Sequence, residues 1–159
     1  MNYLSATDRA YIAGFLDGDG SIYVQLKPNK TYRFQYQVAP NIVFFQAKKE
    51  REVLEQLHQL LGVGYLRDRK DGIVEFIIGD VLSMELLLIA ALPYLRFKQR
   101  QAEVMLQILR VKQSVKTGED FLELCSLIDQ FKILNYSKRR SHTRETVQQT
   151  LSAEGLLTP

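Results

Sequence analysis

Tyr11-Ile12-Ala13-Gly14-Phe15-Leu16-Asp17-Gly18-Asp19-Gly20 is the stretch on which the fold turns. Its apolar residues are spaced as on a helix, which Thr7 is expected to N-cap and Gly18-Asp19-Gly20 to stop. Ala10, Ala13, Gly14, Asp17 and Gly18 recur at i, i+3 and i+4, so small residues share one stripe. A glycine inside a helix costs up to about 1 kcal/mol against alanine. It is tolerated where another backbone must come close, as in small-xxx-small helix pairs.

After Gly20 the period changes from helix to strand. Residues 21–27 alternate, with Ile22, Val24 and Leu26 on one face and Tyr23, Gln25 and Lys27 on the other. Lys27-Pro28-Asn29-Lys30 is a turn signal, and Arg33 to Gln46 alternates again. There Phe34, Tyr36 and Val38 face the core, while Arg33, Gln35, Gln37, Ala39 and Asn41 face away. Pro40 implies a bulge or an edge position. Lys49 to Leu61 returns to helical spacing, with Gly62 as its C-cap. A second hairpin follows, with Tyr65, Arg67 and Arg69 on one face, a turn at Lys70-Asp71-Gly72, and a return strand from Ile73 to Ile78. Residues 80–92, 97–113, 119–134 and 143–151 read as helices. No linker rich in Gly, Pro or Ser interrupts the chain. The expectation is one α+β domain over 1–159, containing two helix–hairpin units as a weak internal repeat.

The outward faces of the four strands collect Tyr23, Gln25, Lys27, Arg33, Gln35, Gln37, Asn41, Arg67, Arg69 and Glu75. Arg reads guanine edges bidentately, Gln and Asn read adenine, and Glu accepts from cytosine. A two-stranded ribbon fits the major groove. A sheet with one wet face is the plainer reading of any single strand.

The charge pattern points the same way. The chain has 159 residues, 46% of them apolar and 25% charged, with a net charge of only +3. Within it, residues 21–48 carry +4, 96–116 carry +5 and 132–144 carry +5, while 117–131 carries −4. Basic blocks set apart by acids make nucleic acid the leading partner class. A single cysteine, Cys125, leaves no internal disulfide and no Cys-based zinc site, and its apolar neighbours mark it as a core residue. The longest apolar run, Leu86 to Leu92, is too short to span a bilayer, and neither a signal nor a transit peptide is read at the N-terminus.

Asp19 sits where the helix macrodipole disfavours a carboxylate, a penalty that a bound cation would reverse. A twofold axis through the small stripe would set two copies of Asp19 side by side, a pair suited to Mg²⁺ and to metal-assisted phosphodiester hydrolysis. An EF-hand loop beginning at Asp17 fails, because Ile22 and Pro28 stand where Gly and Glu are needed. A strand-borne Asp-x-Asp phosphotransferase motif fails on the helical period before it. A glycine-rich helix stop is the ordinary alternative, and it leaves the glycines inside the helix unexplained.

The motif Tyr11 to Gly20 resembles the signature of LAGLIDADG homing endonucleases, in the single-motif, homodimeric branch of algal organellar introns. The resemblance runs from about Thr7 to Leu151. It includes Leu26-Lys27-Pro28-Asn29, the segments 62–69 and 93–102, and Glu145-Thr146-Val147. It implies an αββαββα fold with an antiparallel, four-stranded, saddle-shaped sheet and C-terminal helices. It also implies a homodimer joined through Ala10, Ala13, Gly14, Asp17 and Gly18, and Mg²⁺-dependent cleavage of double-stranded DNA at a long pseudo-palindromic site, leaving short 3′ overhangs.

Carried over residue by residue, Asp19 is the metal-binding acid, the Gly18 carbonyl a further ligand, and Gln46 and Lys98 the groups ordering water around the scissile phosphates. Tyr23, Gln25, Lys27, Asn29, Thr31, Tyr32, Gln37, Arg67, Arg69, Glu75 and Ile77 match contact positions, and Arg33 and Asn41 join them from the strand faces. Ala39 and Val43 stand where polar readers are common. Lys138, Arg140 and Ser141 match a backbone-contacting segment. The pocket position four residues after Gln46, usually basic in the family, is Glu50 here with Arg51 next to it, so either the local register shifts or Lys48 or Arg51 takes that role. His58 reads as a surface residue, and His142 lies beside the basic run. The resemblance implies an organelle, the chloroplast in this branch, and no membrane partner. An RNA-binding splicing cofactor, acting on intron RNA, is the second reading, and a transcription factor that has lost the chemistry is the third.

Overall fold

The computed structural model describes residues 1, 3–135 and 142–157. Helix α1 (Ala6–Asp19) leads into strands β1 (Gly20–Pro28) and β2 (Tyr36–Ala47). A 3-10 turn, Lys48–Glu50, precedes α2 (Arg51–Leu61), and β3 (Tyr65–Asp68) and β4 (Ile73–Ile78) form the second hairpin. Helix α3 (Val81–Ala91) and a 3-10 turn at Leu92–Tyr94 come before α4 (Gln99–Ser114), α5 (Gly118–Asp129), α6 (Phe131–Leu134) and α7 (Arg144–Ala153). The expected αββαββα order with helices at the C-terminus is therefore observed.

The first helix begins two residues earlier than Thr7 implies. Ser5 is its N-cap, and a capping box joins the Ser5 hydroxyl to the Asp8 N–H and the Asp8 carboxylate to the Ser5 N–H. The signal is Ser5-x-x-Asp8, with the shorter Asp in place of the usual Glu or Gln. Gly62 caps α2 in the left-handed region, at φ 66°. Instead of one helix over 119–134 there are two, because the chain turns at Gln130 before Phe131.

Strand order in the antiparallel sheet is β1-β2-β4-β3. In the β2–β4 ladder Ile42 pairs with Ile78 and Ala47 with Ile73, and in the β3–β4 ladder Arg67 pairs with Glu75. Strand β2 is thus interior, although it contains Pro40. Its ladder with β4 begins only at Ile42, so on that side Pro40 gives up no hydrogen bond. The second strand starts at Tyr36 rather than Arg33, because Gln35 takes a left-handed φ of 62° and belongs to the turn.

The chain forms two compact units, residues 1–22 with 41–102, and residues 23–40 with 103–159. In the first, Ile12 and Leu16 of α1, Leu54, Leu57 and Leu61 of α2, and Met84 and Leu87 of α3 are buried with Phe44 and Phe76. The two Phe rings stack at 5.9 Å, and Phe15 meets Phe44 edge-on at 5.4 Å. Each such ring contributes about 1.5–3 kcal/mol on burial. In the second unit Phe34 stacks on Phe121 at 5.0 Å, Cys125, Phe131, Val147 and Leu151 are buried, and the Tyr36 hydroxyl meets Thr150 Oγ1 at 3.1 Å. Cys125 is the expected core residue, and burial pushes its thiol up to about 12. No helix among the described residues is long and apolar enough to cross a membrane.

Candidate active site and nucleic-acid interface

The geometry of the site follows from how α1 ends. Gly20 is needed there by close packing, since a Cβ on it would lie 2.7 Å from the Leu16 carbonyl oxygen. The turn directly into β1 leaves Asp19 exposed as the last residue of the helix, with no basic residue in that turn to balance it. Gln46, near the end of β2, donates from Nε2 to Asp19 Oδ2 at 3.0 Å. Two residues 27 apart in sequence are thereby joined.

Lys98 reaches the same helix end. Its Nζ donates to the backbone oxygen of Asp17 at 2.6 Å. Burial lowers its pKa below the ordinary lysine value, against the opposing pull of the Asp17 and Asp19 carboxylates. Asp19, Gln46 and Lys98 therefore cluster at the end of α1, all within the first unit. Among the described residues no group of three His, Cys, Asp or Glu side chains could hold a metal. What one chain offers is the Asp19 carboxylate and the neighbouring Gly18 carbonyl, an oxygen donor set suited to a hard divalent cation.

Asp17, assigned to a dimer interface, has a role within its own chain. Its Oδ2 accepts the backbone N–H of Arg96 at 2.6 Å and of Phe97 at 3.2 Å, and its Oδ1 accepts that of Lys98 at 2.9 Å. These partners lie 79–81 residues away, so no local pattern announces them. Of the other residues assigned to a dimer interface, Ala13 is 0% exposed and belongs to the first unit's own core, so its side chain is not offered to a second copy. Ala10, Gly14 and Gly18 are exposed, and a Cβ on either glycine would meet nothing within 4 Å. Close packing within this chain therefore does not account for those glycines.

Of the possible substitutes for the basic pocket residue, Arg51 is taken. It donates to Glu55 at 2.7 Å and to Asp68 at 2.8 Å, which hold its guanidinium charged and raise its pKa. Lys49 lies 3.9 Å from Glu50. Lys48 is exposed, with its backbone N–H fixed to the Gly72 carbonyl at 2.8 Å.

The expected base readers fall into two groups. In the second unit Gln25, Lys27, Thr31, Tyr32 and Arg33 are exposed, and Tyr23, Asn29 and Gln37 are half-buried. Asn29 organises the β1–β2 loop by accepting both the N–H and the hydroxyl of Thr31, at 3.0 and 2.7 Å. The Arg33 guanidinium lies 5.2 Å over the Phe34 ring. In the first unit Arg67 and Arg69 are exposed and Asn41 is half-buried, but Glu75 and Ile77 are not presented at the surface. The Glu75 side chain is only 7% exposed beneath Arg67, which donates to it through two nitrogens, and Arg69, at 3.4 Å. Ile77 is 4% exposed, between its cross-strand neighbours Val43 and Tyr65. In β4 every residue from Val74 to Ile78 is buried, so both faces of this strand are covered, which the alternation of an antiparallel sheet with one wet face does not reveal. Lys138, Arg140 and Ser141 lie outside the described residues. His58 is half-buried against Phe76, and the His142 ring meets Tyr36 at 5.5 Å.

Known proteins resemble this chain in sequence and fold. The family described as LAGLIDADG endonuclease matches residues 12–95. DNA endonuclease I-CreI of Chlamydomonas reinhardtii is 40% identical over 144 residues, which cover 90% of this chain and 88% of that protein. DNA endonuclease I-CvuI of Chlorella vulgaris is 33% identical over 146 residues, covering 92% and 91%. A crystal structure of I-CvuI with uncleaved I-CreI target DNA, in 2 mM Mg, superposes with a TM-score of 0.91 over 96% of this chain and 97% of that one, at 32% identity. By its motif helix, its strand order and these matches, the chain belongs to the LAGLIDADG endonuclease family.

Proposed function

We propose that this protein is a site-specific, divalent-cation-dependent double-strand DNA endonuclease of the intron-homing type, working as a homodimer with Mg²⁺ as its cation. The observation that carries the reading is the convergence of Asp19, Gln46 and Lys98 on the end of α1. Two similar proteins named as DNA endonucleases support it. All of 1–159 serves as one functional domain, and its algal relatives agree with expression from an organellar genome, that of the chloroplast in this reading.

Asp19 and the Gly18 carbonyl would hold the cation, where the partial negative charge of the helix end adds to its binding. When bound, such an ion supplies Lewis-acid stabilisation of the phosphoryl oxygens. Gln46 fixes the Asp19 carboxylate and orients water beside it. Lys98 offers its amine to the phosphate as charge builds in the transition state. The water oxygen forms a bond to phosphorus and gives up one proton to solvent, while one bridging P–O bond breaks and the leaving oxygen takes up a proton. Gln25, Lys27 and Arg33 around the first hairpin, and Arg67 and Arg69 on the second, supply groups able to read base edges. One chain brings one exposed motif carboxylate, and cutting both strands needs two. The exposed glycines of α1 are where a second copy would approach.

Cleavage selection from a randomised duplex pool with Mg²⁺ tests the reading. The expected result is one long, near-palindromic site cut in both strands with 3′ overhangs. Removing the cation or substituting Asp19→Asn should lower the rate by about 10³-fold or more, the scale of several kcal/mol. A dimeric protein that leaves the whole pool uncut overturns it. Tight intron-RNA binding that survives Asp19→Asn, without cleavage by the parent, would favour the splicing role instead.

A further inference from the structure

The two acids of Asp17-Gly18-Asp19 face different partners. Asp19 is exposed and receives Gln46, whereas both carboxylate oxygens of Asp17 are occupied by three backbone N–H groups just ahead of α4. We propose that Asp17 is a positioning residue for Lys98, its carboxylate fastening the backbone of residues 96–98 and its carbonyl oxygen receiving the Lys98 amine. This rests on the reading of Lys98 given above.

Packing does not fix the 96–98 segment. Leu95 and Ala102 are buried, but between them Arg96, Gln99 and Arg100 are exposed and Phe97 is 83% exposed. The Lys98 carbonyl receives the Ala102 N–H at 2.9 Å as α4 begins, and ahead of it the three bonds at 2.6–3.2 Å from Asp17 fasten the backbone of 96–98. The bond from Lys98 Nζ to the Asp17 oxygen, 2.6 Å, then sets where the side chain ends. Asp17 thus tethers the residue at both ends. It does so one residue from Gly18 and two from Asp19, so the amine is indexed directly to the oxygen donors. With its oxygens so occupied, Asp17 is not itself offered to a cation. Misplacing a reacting group by about 1 Å can cost about 10²-fold in rate.

The test is a double-mutant cycle on the full-length dimer, using the duplex recovered from the selection above. Single-turnover cleavage is measured in Mg²⁺ and duplex affinity in Ca²⁺, with thermal melts of every variant. Asp17→Ala is expected to slow cleavage about 10- to 100-fold while changing affinity less than about 3-fold. In a Lys98→Ala background the same change should slow cleavage further by less than about 3-fold, because the group it positions is gone. Asp17→Asn keeps one acceptor oxygen and should give an intermediate rate. It carries the same cycle if Asp17→Ala does not fold. Rate losses that multiply, or an affinity that falls in step with the rate, overturn the proposal. Lys98→Ala cleaving at the parent rate would instead overturn the role of Lys98 and leave the Asp17 geometry standing.

Discussion

Glu75 illustrates how a residue's role differs from its type. By alternation it belongs with the outward-facing readers, and as an acceptor it could serve cytosine. The structure instead places its carboxylate beneath two arginines, with Arg67 directly opposite on β3. A charge with 7% exposure is tolerable only when paired, and here the pairing also removes rotamer freedom from both guanidiniums before any DNA arrives. Glu75→Gln keeps the volume and removes the charge. It should raise affinity for non-specific duplex, since Arg67 loses this carboxylate while Arg69 keeps Asp71, and lower the preference for the selected site at the bases those arginines read. A good bidentate contact is worth about 1–3 kcal/mol of discrimination, so competition binding against single-base variants should show a loss of that order. Unchanged discrimination would mean that the arginines do not depend on Glu75 for their aim.

At the scale of elements, helix ends are set by short polar signals with measurable worth. The α5 capping box joins the Thr117 hydroxyl to the Asp120 N–H, and Asp120 in turn accepts the N–H groups of Thr117 and Lys116 at 2.9 Å. Thr117→Ala should cost about 1 kcal/mol and lower the melting temperature by roughly 2–4 °C for a protein of this size. The N–H groups of Lys116 and Thr117 hold the Asp120 carboxyl below its ordinary 3.8. A depressed carboxylate contributes stability above the unfolded value and loses it as pH falls through the folded one. Melts between pH 2 and 5 should therefore be flatter for Asp120→Asn, with the difference from the parent disappearing at the acid end. The same scale shows what sequence reading reaches. The alternation of Ile22, Val24 and Leu26 and the helical spacing of Leu54, Leu57 and Leu61 place β1 and α2, because one face of each must be buried. The break at Gln130 and the left-handed Gln35 escape it, since neither carries a Gly or Pro to mark the turn. In the site, Asp19 is legible because a carboxylate at a helix C-terminus is locally unfavourable. The work of Asp17 is not, because its partners are 79–81 residues away and are backbone groups that every residue possesses.

For the whole molecule, the question is whether α1 is built for its own chain or for a second one. A glycine needed by its own fold resists a side chain, as Gly20 does with Leu16. Gly14 and Gly18 are exposed inside a helix, and an added Cβ would meet nothing within 4 Å. Replacing Gly14 by Ala should therefore stabilise the folded chain by up to about 1 kcal/mol through helix propensity alone. Gly14→Leu should be no less stable as a chain, since leucine is also a good helix former and the site is open. Close approach of a second backbone makes the opposite demand, for a leucine at a helix crossing forces the two axes apart. Gly14→Leu is accordingly expected to melt at or above the parent temperature when assembly does not itself support the melt, to sediment as a monomer at micromolar concentration, and to lose double-strand cleavage. Mixing it with the parent should leave cleavage proportional to the parent homodimer remaining. A Gly14→Leu protein that still sediments as a dimer and cuts both strands would place the interface elsewhere. A variant that fails to fold would show that the glycine serves its own chain, against the open space seen around it.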